Sequence, residues 1–94
     1  MSVRVRWLPQ ARIQYRDAVS WISHRSAQGA DTVRHQVRRA LVHIQRMPRA
    51  APISVWRVEA RQVPAGKYLI FYTVHDGYVL IEEFRHGAQD LTQR

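Results

Sequence analysis

The chain has 94 residues, 46% apolar and 10% aromatic, which suits one domain with a single modest core and is too apolar for a disordered tail. It has no cysteine, so disulfides and thiolate metal sites are excluded, and no apolar run nears the ~20 residues of a membrane helix. The net charge of +8 is uneven: residues 1–47 hold nine arginines against Asp17 and Asp31, while residues 48–94 are nearly balanced.

In chain order, "VRVRW" (residues 3–7) alternates apolar and basic side chains, the period of a half-buried strand. Pro9 suits the first turn of a helix. Leu8, Ala11, Tyr15, Ala18 and Ile22 then recur at three- and four-residue steps, predicting a helix to about His24. "SAQGAD" is read as its break. A second helix follows, with Ala30, Val33, Val37, Ala40, Leu41, Ile44 and Met47 on one stripe and Arg34, His35, Arg38, Arg39 and Arg46 on the other face. "MPRAAP" ends it, because proline resists helix continuation.

The second half changes period. "VWRVEAR" (residues 55–61) alternates strictly and reads as a strand, with "PAG" leading to "KYLIFYTV" and then "YVLIEEFRH". Asp76–Gly77 between the last two runs predicts a hairpin with a type I′ turn. The order is strand, two helices, three strands. That is an α+β fold: an N-terminal strand and a two-helix hairpin packed on a mostly antiparallel sheet completed by three C-terminal strands, in a single domain over 1–94.

If His75 pairs with Tyr78 and the ladder is regular, one hairpin face collects Tyr68, Ile70, Tyr72, Val74, Val79, Ile81, Glu83 and Arg85. The other collects Lys67, Leu69, Phe71, Thr73, Leu80, Glu82, Phe84 and His86. Both are apolar in the middle, and two helices cover only one. The remaining face needs a partner, another subunit or a covering terminus.

Few residues suggest chemistry. His24, His35, His43, His75 and His86 lack metal-ligand spacing, neither Ser20 nor Ser54 sits in a nucleophile elbow, and no glycine-rich phosphate loop is present. No metal or cofactor is expected. The better candidates are Arg57, Arg61, Lys67, Arg85 and His86, since RNA cleavage needs a base, an acid and cations for the phosphorane charge. Glu59 or His86 would be the base. The simpler reading is that these charges solvate an exposed sheet surface, and the register sets Arg85 and His86 on opposite faces. Fourteen of the fifteen basic residues are arginine, which favours an acidic protein segment or a nucleic acid as partner.

"RQVPAGKYLIFYTV", followed by a short turn, an apolar strand and "HGAQD", resembles the C-terminal half of ParE-type toxins in the ParE/RelE superfamily of bacterial toxin–antitoxin systems. "VRWLPQARIQYRDAVSWI" is similar to their opening strand and first helix. The most specific parts are residues 66–72 and 86–90; residues 26–54 match only in pattern. The resemblance implies a cytoplasmic toxin of plasmid-stabilisation type, a co-encoded antitoxin whose C-terminal segment wraps it, and a heterotetramer or larger assembly. For ParE-like members it implies inhibition of DNA gyrase with trapping of cleaved DNA, and no catalytic site.

RelE-like members instead cleave ribosome-bound mRNA, and Arg57, Arg61, Arg85 and His86 would then be the catalytic set. Direct nucleic-acid contact is expected only under that alternative. The tail reads "HGAQDL" rather than a terminal His-Tyr or Arg-Tyr, which favours the gyrase branch. A third reading is a toxin fold that keeps only antitoxin binding. Lys67, Leu69, Phe71, Leu80 and Phe84, on the second hairpin face, are the expected antitoxin contacts.

Overall fold

The computed structural model describes residues 2–87. Strand β1 (Arg4–Trp7) leads through Leu8 into helix α1 (Pro9–Ser23), with Pro9 in the first turn where a missing N–H costs nothing. Helix α2 (Ala27–Arg46) follows almost at once. Ser26 caps it, its Oγ accepting from Gly29 N–H at 2.9 Å. "SAQGAD" is therefore the opening of the second helix, and the break lies just before it.

Three strands complete the sheet: β2 (Arg61–Ala65), β3 (Tyr68–His75) and β4 (Tyr78–His86), in the spatial order β1-β4-β3-β2. β1 lies parallel to β4, and the other pairs are antiparallel. Both helices pack on one face. The centre of that core is Ile44 of α2 against Ile70, Tyr72, Val79 and Ile81, all fully buried. Val33, Val37 and Ala40 extend the α2 stripe, whereas Met47 is exposed.

Residues 55–61 do not form the strand that their alternation suggests. Of the side expected to face inward only Ala60 is buried, while Trp56 and Val58 are 38% and 86% exposed. Ser54 Oγ accepts from the N–H groups of Trp56 and Arg57, and Glu59 takes a left-handed φ of 63°. The result is a strap over residues 52–60, anchored where Ser54 N–H meets Ala60 O and Gln62 N–H meets Pro52 O. β2 begins only at Arg61 and runs through the "PA" expected to be a connection. Gly66 supplies the positive φ (62°) that turns the chain into β3, and a Cβ there would strike Gln36.

The β3–β4 hairpin pairs His75 with Tyr78 as expected, but its turn is not type I′. Only Gly77 (φ 84°) is left-handed and Asp76 is not, whereas type I′ requires both. The ladder is also irregular. Tyr72 pairs with Ile81 and Phe71 with Glu83, so Glu82 is an extra residue in a β-bulge. Beyond it the faces exchange: Phe84 and His86 join Ile70 and Tyr68 on the helix face, and Glu83 and Arg85 join Phe71 and Leu69 on the other. The internal strap lies across that second face, tied to it by Arg57, and Phe71 there is only 3% exposed.

Candidate functional site

The bulge gathers charge on the strapped face. In a regular strand Glu82 and Glu83 would point to opposite sides; here Arg57 of the strap reaches both. Its Nε donates to Glu82 Oε1 at 2.9 Å and its NH1 donates to Glu83. Arg85 Nε donates to the other oxygen of Glu83. Thr73 Oγ1 donates to Glu82 at 2.9 Å and stands 2.8 Å from His75 Nε2. His75 stacks on Tyr78 at 4.8 Å, and the Arg6 guanidinium lies 4.6 Å from the centre of the same ring. Arg6, Arg57 and Arg85 on this surface each have an internal partner.

The remaining expected cleavage residues are elsewhere. Arg61, at the start of β2, donates to the carbonyls of Arg49 (3.0 Å) and Ala51 (2.7 Å). It pairs across the ladder with Tyr72, whose hydroxyl donates to Pro48 O at 2.7 Å. Burial raises the Tyr72 pKa above its ordinary value, and the Arg61 charge opposes the shift. Glu59 is exposed in the strap, and Lys67 is exposed in the β2–β3 turn. Arg57 and Arg85 are thus brought together by a shared carboxylate, while Arg61 and His86 are not part of that group. Asp90, near His86 in sequence, lies outside the described residues.

His86 closes an aromatic row beneath the helices. Trp7 meets Tyr15 at 5.6 Å, Tyr15 meets Phe84 edge-on at 5.3 Å, Phe84 stacks on Tyr68 at 4.7 Å, and Tyr68 meets His86 edge-on at 5.3 Å. Burial raises the Tyr68 pKa. His86 Nδ1 is buried with no hydrogen-bond partner among the described residues. Beside it two cavities open on either side of Trp21, which is 61% exposed. One, of about 670 Å³, also touches Asp17, Phe84 and Arg85. The other, of about 440 Å³, is lined by Ile22, Val33, Tyr68 and Lys67. Arg25 stacks over the Trp21 ring at 4.3 Å. The groove combines an aromatic anchor with a cationic rim.

A sequence model described as the ParE toxin of type II toxin–antitoxin system, parDE, matches residues 5–91. The chain belongs to the ParE toxin family. A solved structure described as the chromosomal ParDE TA system from P. aeruginosa shares the fold, with a TM-score of 0.71. Its identity is 11%, and the match covers 90% of this chain and 96% of that one. No curated protein sequence matches.

Within this ParE fold the expected antitoxin contacts separate. Lys67 is exposed, and Leu69 and Leu80 are half-buried on the strapped face. Phe71 is buried on that face, and Phe84, at 2% exposure, is buried on the helix face because the bulge reverses its direction. Neither phenylalanine is an open contact in this conformation. Sequence reasoning missed Trp21. Its signal was a large aromatic next to, but off, the Ala11–Tyr15–Ala18–Ile22 stripe, where a core helix has no need of one.

Proposed function

We propose that this ParE-family chain inhibits DNA gyrase by binding, without chemistry of its own, and is neutralised by a cognate antitoxin, acting in the cytoplasm as one domain. The observation that favours binding over mRNA cleavage is the engagement of the cations. A cleavage site needs free cations converging on one phosphate with a base in reach. Arg57 and Arg85 are instead neutralised by Glu82 and Glu83, Arg61 is tied to backbone carbonyls, and His86 faces the helices. Plasmid supercoiling by gyrase and translation of an mRNA in vitro, each with purified protein, test the choice. Inhibited supercoiling with intact mRNA is expected; cut mRNA with unaffected gyrase would reverse it.

For the antitoxin, the Trp21 groove is the better seat than the strapped face. An exposed tryptophan flanked by cavities takes apolar anchors of a partner segment, while Arg25 and Lys67 on its rim suit carboxylates. Leu69 and Leu80 are secondary contacts. Trp21→Ala should weaken a purified toxin–antitoxin complex by about tenfold or more, the loss of at least ~1.4 kcal/mol typical of a tryptophan hot spot. Unchanged affinity in a folded variant would move the seat elsewhere.

A further inference from the structure

The solvent face of α2 is a second, separate surface. Its central and flanking positions are His35, Arg38, Arg39, Val42, His43 and Arg46, all exposed. The one acid on the helix, Asp31, lies in its N-terminal half and pairs with Arg34 at 2.8 Å. The guanidinium groups of Arg38, Arg39 and Arg46 have no hydrogen bond, ion pair or ring contact among the described residues. On the strapped face, by contrast, Arg57 and Arg85 are bound by Glu82 and Glu83. The exposed Arg38, Arg39 and Arg46 lie along about 12 Å of one helix.

We infer that the solvent face of α2 binds the phosphate backbone of duplex nucleic acid, without sequence preference, through Arg38, Arg39 and Arg46. An amphipathic protein segment fits less well, because Val42 is the only apolar side chain in the patch and helix-in-groove recognition relies on several apolar anchors. A single strand also fits less well, since strand binders stack bases on aromatic rings and α2 has no phenylalanine, tyrosine or tryptophan. A rigid array of arginines with a single apolar side chain and no phenylalanine, tyrosine or tryptophan ring matches a regular polyanion. The cation set is distinct from the Trp21 groove, so antitoxin binding and duplex binding use different surfaces of the helical layer.

The test is anisotropy of a short labelled DNA duplex with the purified chain, with neither gyrase nor antitoxin present, so its outcome is independent of the partner assignment. Three phosphate contacts predict a log–log salt slope of about −2.7, an affinity loss of about 40-fold between 50 and 200 mM salt. In Arg38→Gln/Arg39→Gln the slope should fall to about −0.9. Glutamine keeps helix propensity, and unchanged helical circular dichroism confirms that the fold survives. Arg46→Gln alone should reduce the slope by about 0.9 and gives an independent reading. Arg4→Gln/Arg6→Gln, on the opposite side of the molecule, should leave binding unchanged. Absence of duplex binding at 50 mM salt would overturn the inference. So would loss of binding in the Arg4/Arg6 variant with retention in the α2 variants. Displacement of the duplex by poly-glutamate at equal charge would assign the surface to an acidic protein instead.

Discussion

Arg57→Ala should show how firmly the strap is held. The Arg57 side chain is 34% exposed, while its partners Glu82 and Glu83 are 16% and 9% exposed. Exposed pairs contribute about 0.2–1 kcal/mol, and breaking a buried pair costs about 3–5 kcal/mol when it strands a charge. Here neither carboxylate is stranded, because Thr73 still donates to Glu82 and Arg85 to Glu83. The direct loss is therefore intermediate, about 1–2 kcal/mol. Loosening the strap also uncovers part of Phe71, whose full burial contributes about 1.5–3 kcal/mol. A total near 2–3 kcal/mol lowers the melting temperature of a chain this size by roughly 10–20 °C. Thermal unfolding followed by circular dichroism measures it. Arg57→Lys retains the charge but not the forked geometry and should lose about half as much. In a double-mutant cycle with Glu83→Gln, the coupling should exceed about 1 kcal/mol. A loss below ~0.5 kcal/mol, or additive effects, would mean that the Ser54 and Ala60 hydrogen bonds hold the strap unaided.

Ile44→Ala should cost about 2–5 kcal/mol in urea unfolding, and Leu41→Ala less, since Ile44 is fully buried and Leu41 only half-buried. Tyr72→Phe removes the hydroxyl bonded to Pro48 and should cost about 0.5–1.5 kcal/mol at neutral pH. It should also weaken an alkaline transition: with its pKa raised by burial, folded Tyr72 keeps its proton where the unfolded chain loses it. Its stabilisation is thus complete below pH 10 and falls as pH rises towards the raised value. Tyr68, shifted the same way, preserves part of that limb. His86→Gln should leave supercoiling inhibition intact; loss of inhibition in a folded variant would give the imidazole a direct role.

The helices, the last two strands and the hairpin pairing were legible because each rests on a local signal: Ala11 to Ile22 and Ala30 to Ile44 at helical steps, and two β-rich runs flanking Asp76–Gly77. The strap was not, because residues 55–61 carry a perfect two-residue period. What decides their conformation is Ser54 capping the turn and Arg57 finding two carboxylates across the molecule, and neither is a local pattern. The bulge was equally hidden. Nothing local to "IEEF" marks an extra residue; what holds the shifted register is Phe84 between Tyr15 and Tyr68 together with two adjacent glutamates facing one arginine. One misplaced residue then exchanged the faces of Glu83 to His86, and with them the surface assigned to an antitoxin.

That exchange bears on the choice between binding and cleavage. Had the ladder been regular, Glu83 and Arg85 would lie under the helices, and Phe84 and His86 would face the strap beside Arg57. Arg57 would then keep Glu82 alone as its carboxylate, and an imidazole beside that arginine could serve phosphate chemistry. The bulge does the opposite, setting Glu82 and Glu83 against Arg57 and Arg85 and turning the imidazole towards Tyr68 and the Trp21 groove. Arg57 and Arg85 are thereby engaged in holding the sheet face closed. Charge without an internal partner is found on the helical layer, where Arg38, Arg39 and Arg46 meet no acid among the described residues. A net charge of +8 in a ParE-family chain therefore acts outward from the helices, as a surface for recognition, and inward on the sheet, as structure.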